Sequence, residues 1–196
     1  TTEIYTLSLH DALPIWKEGW ADFFPLAVQS YGRWDDAVFE WGGGEQQPLE
    51  TPTWGTSGWY DGDMVEGRVA GALWDLVDSP ADYWDQYSDG FDDIWDTFCD
   101  GPHDTFEEFW SDCRGELDGD LFDGWGSLYQ NTIEYGCDMC GCEGYEELVL
   151  GDANEDGVVN TGDITKVKRI YFELDTPTVG ADANKDREIN MADVTR

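Results

Sequence analysis

The chain has 196 residues, of which 44 are Asp or Glu and only 10 are Lys or Arg, so its formal charge is −34. A field of that sign repels nucleic acids and anionic membrane surfaces, and it favours cations, above all metal ions, as partners. Aromatic residues make up 15% of the chain, enough to fill a core. A mean hydropathy of −0.54 and the lack of an apolar run of about 18 residues argue against membrane insertion.

The sequence divides at two places. Residues 1–15 (TTEIYTLSLHDALPI) show neither helical nor alternating periodicity, and Ser8 to Ile15 resembles the translated read-through of a sequencing adapter. We therefore expect 1–15 to be non-native and the chain to be a fragment of a longer protein. Charge sets a second boundary near Gly151, because residues 1–150 hold 34 acidic and 4 basic side chains and residues 151–196 hold 10 and 6. The predicted units are an acidic helical region, 16–150, and a C-terminal module, 151–196.

From Trp16 to Val28 the apolar residues recur at helical spacing, and Pro25 should kink this helix. Glu18 and Asp22 lie four residues apart in it, so they share one face. Two interpretations are open. The pair is either an ordinary solvated acidic pair that points away from the aromatic stripe, or a zinc ligand followed by an acid that orients a histidine ligand.

Two segments resemble known protein families' helices. Lys17 to Phe24 (KEGWADFF) is similar to the third-ligand helix of gluzincin metallopeptidases, particularly the fungalysin and thermolysin-like groups, and Val65 to Leu76 (VEGRVAGALWDL) looks like the helix that follows it there. The resemblance covers roughly residues 16–80 and implies that Glu18 is a zinc ligand and Asp22 its supporting acid. The chain has no H-E-x-x-H, which would supply the two His ligands and the general base. We therefore expect zinc only in a full-length protein, and no peptidase activity from this chain alone.

Residues 41–63, rich in Gly, Pro, Thr and Trp, predict a long loop of the kind that often borders a binding site. The periodicity after it predicts four helices, with Ser79-Pro80 ending the first and Asp104 or Thr105 capping the third. Their apolar stripes span Val65–Leu76, Phe91–Phe98, Phe106–Cys113 and Phe122–Ile133. The expected fold is therefore mainly α, a helical subdomain followed by the C-terminal module.

The cysteines and the histidine of the middle region leave alternatives open. Cys137-x-x-Cys140-x-Cys142 could supply three metal ligands, but a single C-x-x-C favours disulfides of an exported protein, which would also involve Cys99 and Cys113. The chain has five cysteines, an odd number, so not all of them can form disulfides within the chain. His103 is either a transition-state donor or a surface residue in a Gly-Pro turn.

The C-terminal module contains one 12-residue pattern twice, as DANEDGVVNTGD and DANKDREINMAD. Each copy places oxygen-bearing side chains at positions 1, 3, 5, 9 and 12 and a backbone carbonyl at position 7, which is the hard-ligand spacing of an EF-hand-like calcium loop. Gly157 at position 6 allows the sharp turn, and Val159 at position 8 should point into the core and pair across to the other loop. The expected calcium ligands are Asp152, Asn154, Asp156, Val158, Asn160 and Asp163 in loop 1, and Asp182, Asn184, Asp186, Glu188, Asn190 and Asp193 in loop 2.

Paired loops at this spacing, each followed by a helix, resemble a type I dockerin, the module that docks extracellular proteins onto a cohesin. The resemblance covers about residues 151–196 and implies two calcium ions and a cohesin partner. Arg187 replaces Gly at position 6 of loop 2, so loop 1 should bind calcium more tightly. The sequence stops at Arg196, so we expect the second helix to lie outside this fragment.

The cohesin-facing positions of the family map to loop positions 10 and 11 and to positions 17 and 18. The two adjacent basic residues among them could equally be a solvated helix face, since Ile164, Val167, Ile170, Tyr171 and Leu174 line the other face. The expected partner-binding residues are Thr161, Gly162, Lys168, Arg169, Met191 and Ala192.

Three functions fit the sequence, all of them extracellular or at the cell surface. The first is a fragment of a secreted zinc metallopeptidase-like protein that carries a dockerin. The second is a dockerin-bearing polysaccharide-degrading hydrolase, with exposed Trp and Tyr stacking on sugar rings, although no acidic pair stands out as its acid and base. The third is a noncatalytic calcium-dependent adhesion or scaffold protein. An upstream H-E-x-x-H would favour the first.

Overall fold

A computed structural model describes residues 12–31, 33, 38–40, 46–49, 60–79, 84–88, 90–115, 117, 121–135, 149–186 and 188–195. Within these ranges the chain forms six α-helices, which confirms the predicted mainly α fold. They are α1 (Ala12–Ser30), α2 (Glu66–Asp75), α3 (Phe91–Asp100), α4 (Phe106–Cys113), α5 (Leu121–Gln130) and α6 (Thr161–Tyr171). Two 3-10 turns, Val179–Ala181 and Asp193–Thr195, belong to the C-terminal module.

Helix α1 starts earlier than the periodicity indicated. It runs from Ala12 through Pro25 to Ser30, so the last residues of the 1–15 segment are helical. It packs along α2 at Gly19, where an added Cβ would lie 2.7 Å from Val69 Cβ and 2.9 Å from the Glu66 carbonyl oxygen. The absence of a side chain at residue 19 therefore brings α1 against α2.

The helical subdomain, which we define as α1 to α5 and their connections, is built around α2. Every residue of α2 from Gly67 to Asp75 is buried, because α2 is enclosed by its neighbouring elements. Aromatic side chains from α1 and α4 fill the surrounding core, with the Trp16 ring 4.7 Å from Phe109. The prediction that α4 is capped by its flanking polar residue is confirmed, since Thr105 Oγ1 accepts a hydrogen bond from Glu108 N at 3.1 Å.

Two features of the helical subdomain differ from the sequence-based expectation. Residues Val38–Glu40 and Gln46–Pro48 form two short antiparallel strands, β1 and β2, that the loop composition did not indicate. Helix α5 ends at Gln130 rather than near Ile133, because Thr132 adopts φ +62° and the backbone leaves the helical conformation. The Thr132 hydroxyl then accepts a hydrogen bond from Gly62 N at 2.9 Å.

In the C-terminal module, α6 begins with a reciprocal capping box. Asn160 Oδ1 accepts from Gly162 N at 2.8 Å, and Asp163 Oδ2 accepts from Asn160 N at 2.6 Å. Of the apolar residues predicted to line one face of this helix, Val167 and Ile170 are buried, whereas Tyr171 and Leu174 are exposed. The prediction that Val159 points into the core is wrong, since 54% of it is exposed, whereas Ile189 at the same position of loop 2 is buried.

None of the helices in the described ranges is long and apolar enough to cross a membrane.

Candidate metal sites

In loop 1 the predicted ligand side chains are held by the backbone of the loop itself. The two oxygens of Asp152 accept from Asp156 N at 3.2 Å and Gly157 N at 2.7 Å. At the far end of the loop, Asp163 Oδ1 accepts from Asn154 N at 3.1 Å. The side chains at loop positions 1 and 12 are therefore both oriented by backbone amides of the same loop.

Loop 2 repeats this arrangement. Asp182 Oδ1 accepts from Asp186 N at 3.1 Å, while Asp193 accepts from Asn184 N at 3.3 Å and from Asn190 N at 2.9 Å. Position 4 has positive φ in both loops, 59° at Glu155 and 60° at Lys185. Arg187, the departure at position 6, lies outside the described residues.

Burial of the terminal carboxylates supports a cation at each loop. Asp152 and Asp163 are 5% and 3% exposed, and Asp182 and Asp193 are 0% and 7% exposed. The described hydrogen bonds of Asp152, Asp163 and Asp193 come from backbone amides, and a buried carboxylate without a counter-charge is costly. In the described ranges the side chains face these amides, and no three His, Cys, Asp or Glu converge as a metal cluster. The donor set is nonetheless all oxygen, as calcium requires.

The expected cohesin-facing residues all reach the surface of the module. Thr161, Lys168 and Ala192 are exposed, Met191 is 47% exposed and Gly162 is half-buried. The sixth, Arg169, is exposed but donates two hydrogen bonds to Asp175, at 2.6 and 2.7 Å. These hydrogen bonds hold the pKa of Asp175 below its usual range. Arg169 is thus committed to a contact within the module that the sequence did not indicate.

The Glu18 and Asp22 pair does not behave as two solvated acids. Glu18 is exposed, but Asp22 is only 7% exposed and its Oδ2 has no hydrogen-bond partner in the described part of the chain. Burial raises the pKa of Asp22 to about 6, and the charge of Glu18 acts in the same direction. A buried carboxylate oxygen that lacks a donor fits an acid placed to receive a histidine N–H from a neighbouring element.

Helix α2 adds a third acid, Glu66, that sequence reasoning missed. The pKa of Glu66 is raised to about 7, mainly by burial. A hydrogen bond with Glu18 and the charges of Asp22 and Glu18 act in the same direction. Glu18 and Asp22 act on Glu66 across the helix contact at Gly19, where α1 packs against the first turn of α2. No local sequence signal reports this contact, since Glu66 resembles any acidic residue near a helix N-terminus.

These raised pKa values predict that acid stabilises the helical subdomain. A carboxyl whose folded pKa lies above its unfolded value contributes stability below the unfolded pKa, and this is lost as pH rises through the folded pKa, here between about 4.5 and 7 for Glu66. Glu66→Gln should therefore raise the free energy of unfolding at pH 8 by about 1 kcal/mol, a figure reduced for partial exposure, and change it little at pH 4.5. Urea unfolding in saturating calcium measures both values. Asp96→Asn, an exposed acid of α3, is the control, and equal pH profiles for the two variants would contradict the prediction.

The remaining candidates from the sequence are His103, the cysteines and the 41–63 loop. His103 Nε2 lies 3.1 Å from Asp112 Oδ2, and its ring packs edge-on against Phe109. No disulfide joins the two described cysteines, exposed Cys99 and buried Cys113. The Cys137, Cys140 and Cys142 cluster and most of the 41–63 loop lie outside the described residues.

Family models match both units of the chain. A model described as the mycolysin C-terminal domain matches residues 13–131, which cover α2 to α5 and all of α1 except Ala12, and one described as the type I dockerin domain matches residues 150–196. The matches confirm the suspected dockerin and the peptidase-related upstream region, and they give no support to polysaccharide catabolism. No curated protein and no solved structure matches the chain significantly.

Proposed function

Because the chain belongs to the mycolysin C-terminal domain family and also carries a type I dockerin domain, we propose that it anchors a secreted zinc-peptidase-like protein to a cohesin on an extracellular scaffold. Dockerin domains bind cohesin domains, and type I dockerins bind calcium.

The observation that carries the proposal is the matching geometry of the two loops. Each loop orients its position-1 and position-12 carboxylates on backbone amides at equivalent places. In the proposal, five side chains and the position-7 carbonyl of each loop hold one calcium ion. The ligands extend from Asp152 to Asp163 in loop 1 and from Asp182 to Asp193 in loop 2.

The helical subdomain contributes the other half of the proposal. In the proposal, the exposed Glu18 on α1 is a zinc ligand, and Asp22 is the acid that orients a histidine ligand. The zinc would activate water for peptide hydrolysis in a protein that also contains the His pair. Support comes from the family match and from Asp22 Oδ2, a buried oxygen that has no hydrogen-bond partner among the described residues.

Cohesin binding tests the proposal directly. The chain in calcium should bind at least one member of a panel of immobilised type I cohesins, and excess EGTA should abolish binding because the loops lose their shape. Lys168→Ala should weaken that binding about tenfold, the effect of losing one well-placed interface side chain. Lys166→Ala is the matched control on the same helix, since Lys166 pairs with Asp175 and lies outside the expected contact positions. Calcium-independent binding, or equal losses in the two variants, would contradict the proposal.

A further inference from the structure

The helical subdomain and the dockerin share one buried apolar cluster. Trp84 and Tyr129 come from the helical subdomain, and both are nearly fully buried, with their rings perpendicular and 5.3 Å apart. They pack with six apolar side chains of the dockerin: Ala153, Val167, Ile170, Val179, Ala181 and Ile189. The dockerin is therefore seated against α5.

The α5 side of this contact is held in place by hydrogen bonds. Gln130 Oε1 accepts from the backbone amides of Trp84 and Asp85 at 3.0 and 3.2 Å, and the Ser127 hydroxyl donates to Asp85 Oδ1 at 2.7 Å. Outside the cluster, Lys185 of loop 2 forms an ion pair with Glu134, with Nζ 3.8 Å from Oε2. The contact thus reaches loop 2 itself.

At the centre of the contact, the Tyr129 hydroxyl donates a hydrogen bond to Asp182 Oδ2 at 2.7 Å. Asp182 is the position-1 residue of loop 2 and is fully buried. One predicted calcium ligand of loop 2 is therefore oriented by a residue 53 positions away in the other unit of the chain.

We propose that Tyr129 is a positioning residue for calcium in loop 2, and that it couples calcium binding there to the seating of the dockerin on α5; this rests on the proposed calcium function of the loops. A charge-assisted hydrogen bond to a buried carboxylate fixes its orientation, and the second lone pair of that oxygen remains available. Groups that orient metal ligands typically account for 10- to 100-fold in metal affinity. Because linkage is reciprocal, calcium in loop 2 strengthens the contact with α5.

Hydrogen–deuterium exchange on the full chain during a calcium titration tests the coupling, since it reads the midpoint of each loop separately. Tyr129→Phe should raise the calcium midpoint of loop 2 about tenfold and leave that of loop 1 within twofold. Tyr135→Phe is the matched control, because it removes a hydroxyl that donates to Asp63 at 2.8 Å in the helical subdomain. An unchanged loop 2 midpoint in Tyr129→Phe, or an equal rise in Tyr135→Phe, would overturn the proposal.

The wild-type chain supplies an independent measurement that no folding defect can obscure. Calcium should increase the protection of backbone amides in the segment 128–130 of α5 as well as in loop 2. Protection confined to the dockerin would overturn the coupling while leaving the calcium proposal intact. A wild-type chain whose loops show no calcium-dependent protection would instead overturn the calcium proposal, and this inference with it.

Discussion

Removal of calcium with excess EGTA is expected to abolish the circular dichroism of α6, an 11-residue helix, while most of the signal of α1 to α5 remains. The reason is electrostatic, because the expected ligand side chains of each loop include three carboxylates, and those at positions 1 and 12 are buried. Without the cation, these groups regain hydration only when the module unfolds. Restored calcium should recover the lost signal.

Variants distinguish specific calcium binding from a general effect of charge. A chain with both Asp163→Ala and Asp193→Ala should give the same spectrum with and without calcium, because each loop has lost its position-12 ligand. Asp175→Asn removes a carboxylate of the same module outside the loops and should keep the calcium response. Retention of the full helical signal in excess EGTA by the wild-type chain would show that the loops need no cation.

Glu18→Ala is expected to abolish zinc retention in a longer protein that supplies the His pair, because a site with two His and no third protein ligand holds zinc poorly. Asp22→Ala should lower zinc affinity 10- to 100-fold, as expected for an acid that orients a ligand. Mass spectrometry of metal content after dialysis measures both effects. Lys17→Ala, an exposed neighbour on α1, should retain stoichiometric zinc.

The outcome separates a ligand from a simple surface acid. If Glu18 and Asp22 have no metal role, both Ala variants should retain zinc. Because Glu18 is exposed, Glu18→Ala should then lower the free energy of unfolding by less than about 0.5 kcal/mol. Stoichiometric zinc in Glu18→Ala would exclude the ligand role and favour the noncatalytic scaffold alternative.

Sequence reasoning succeeded where the determining interactions are local. Helix α4 follows from an apolar stripe and from the Thr105 cap, both contained within a few residues. The turns of the calcium loops likewise depend on side chains that bond amides two to nine residues away, such as Asp156 N to Asn154 and Asn154 N to Asp163. A repeated 12-residue spacing reports such interactions directly.

Sequence reasoning failed where a residue's environment depends on distant segments of the chain. The three-residue strands β1 and β2 carry too few residues to show alternation. Burial of Asp22 depends on tertiary packing of α1, and its charge interaction with Glu66 joins two helices that lie far apart in the sequence. The Val159 error has a similar origin, since position 8 is buried at Ile189 but exposed in loop 1.

The contact at Gly19 determines where the candidate zinc ligand stands. Residue 19 directly follows Glu18, and on α2 it meets the Glu66 carbonyl and Val69. The offset of Glu18 from α2 is therefore set by the separation of two helix backbones rather than by a flexible side chain or loop. Even a methyl group at residue 19 would displace α1 from the first turn of α2 and would move Glu18 relative to Glu66, so a substitution that changes no charge would still alter the position of the candidate ligand.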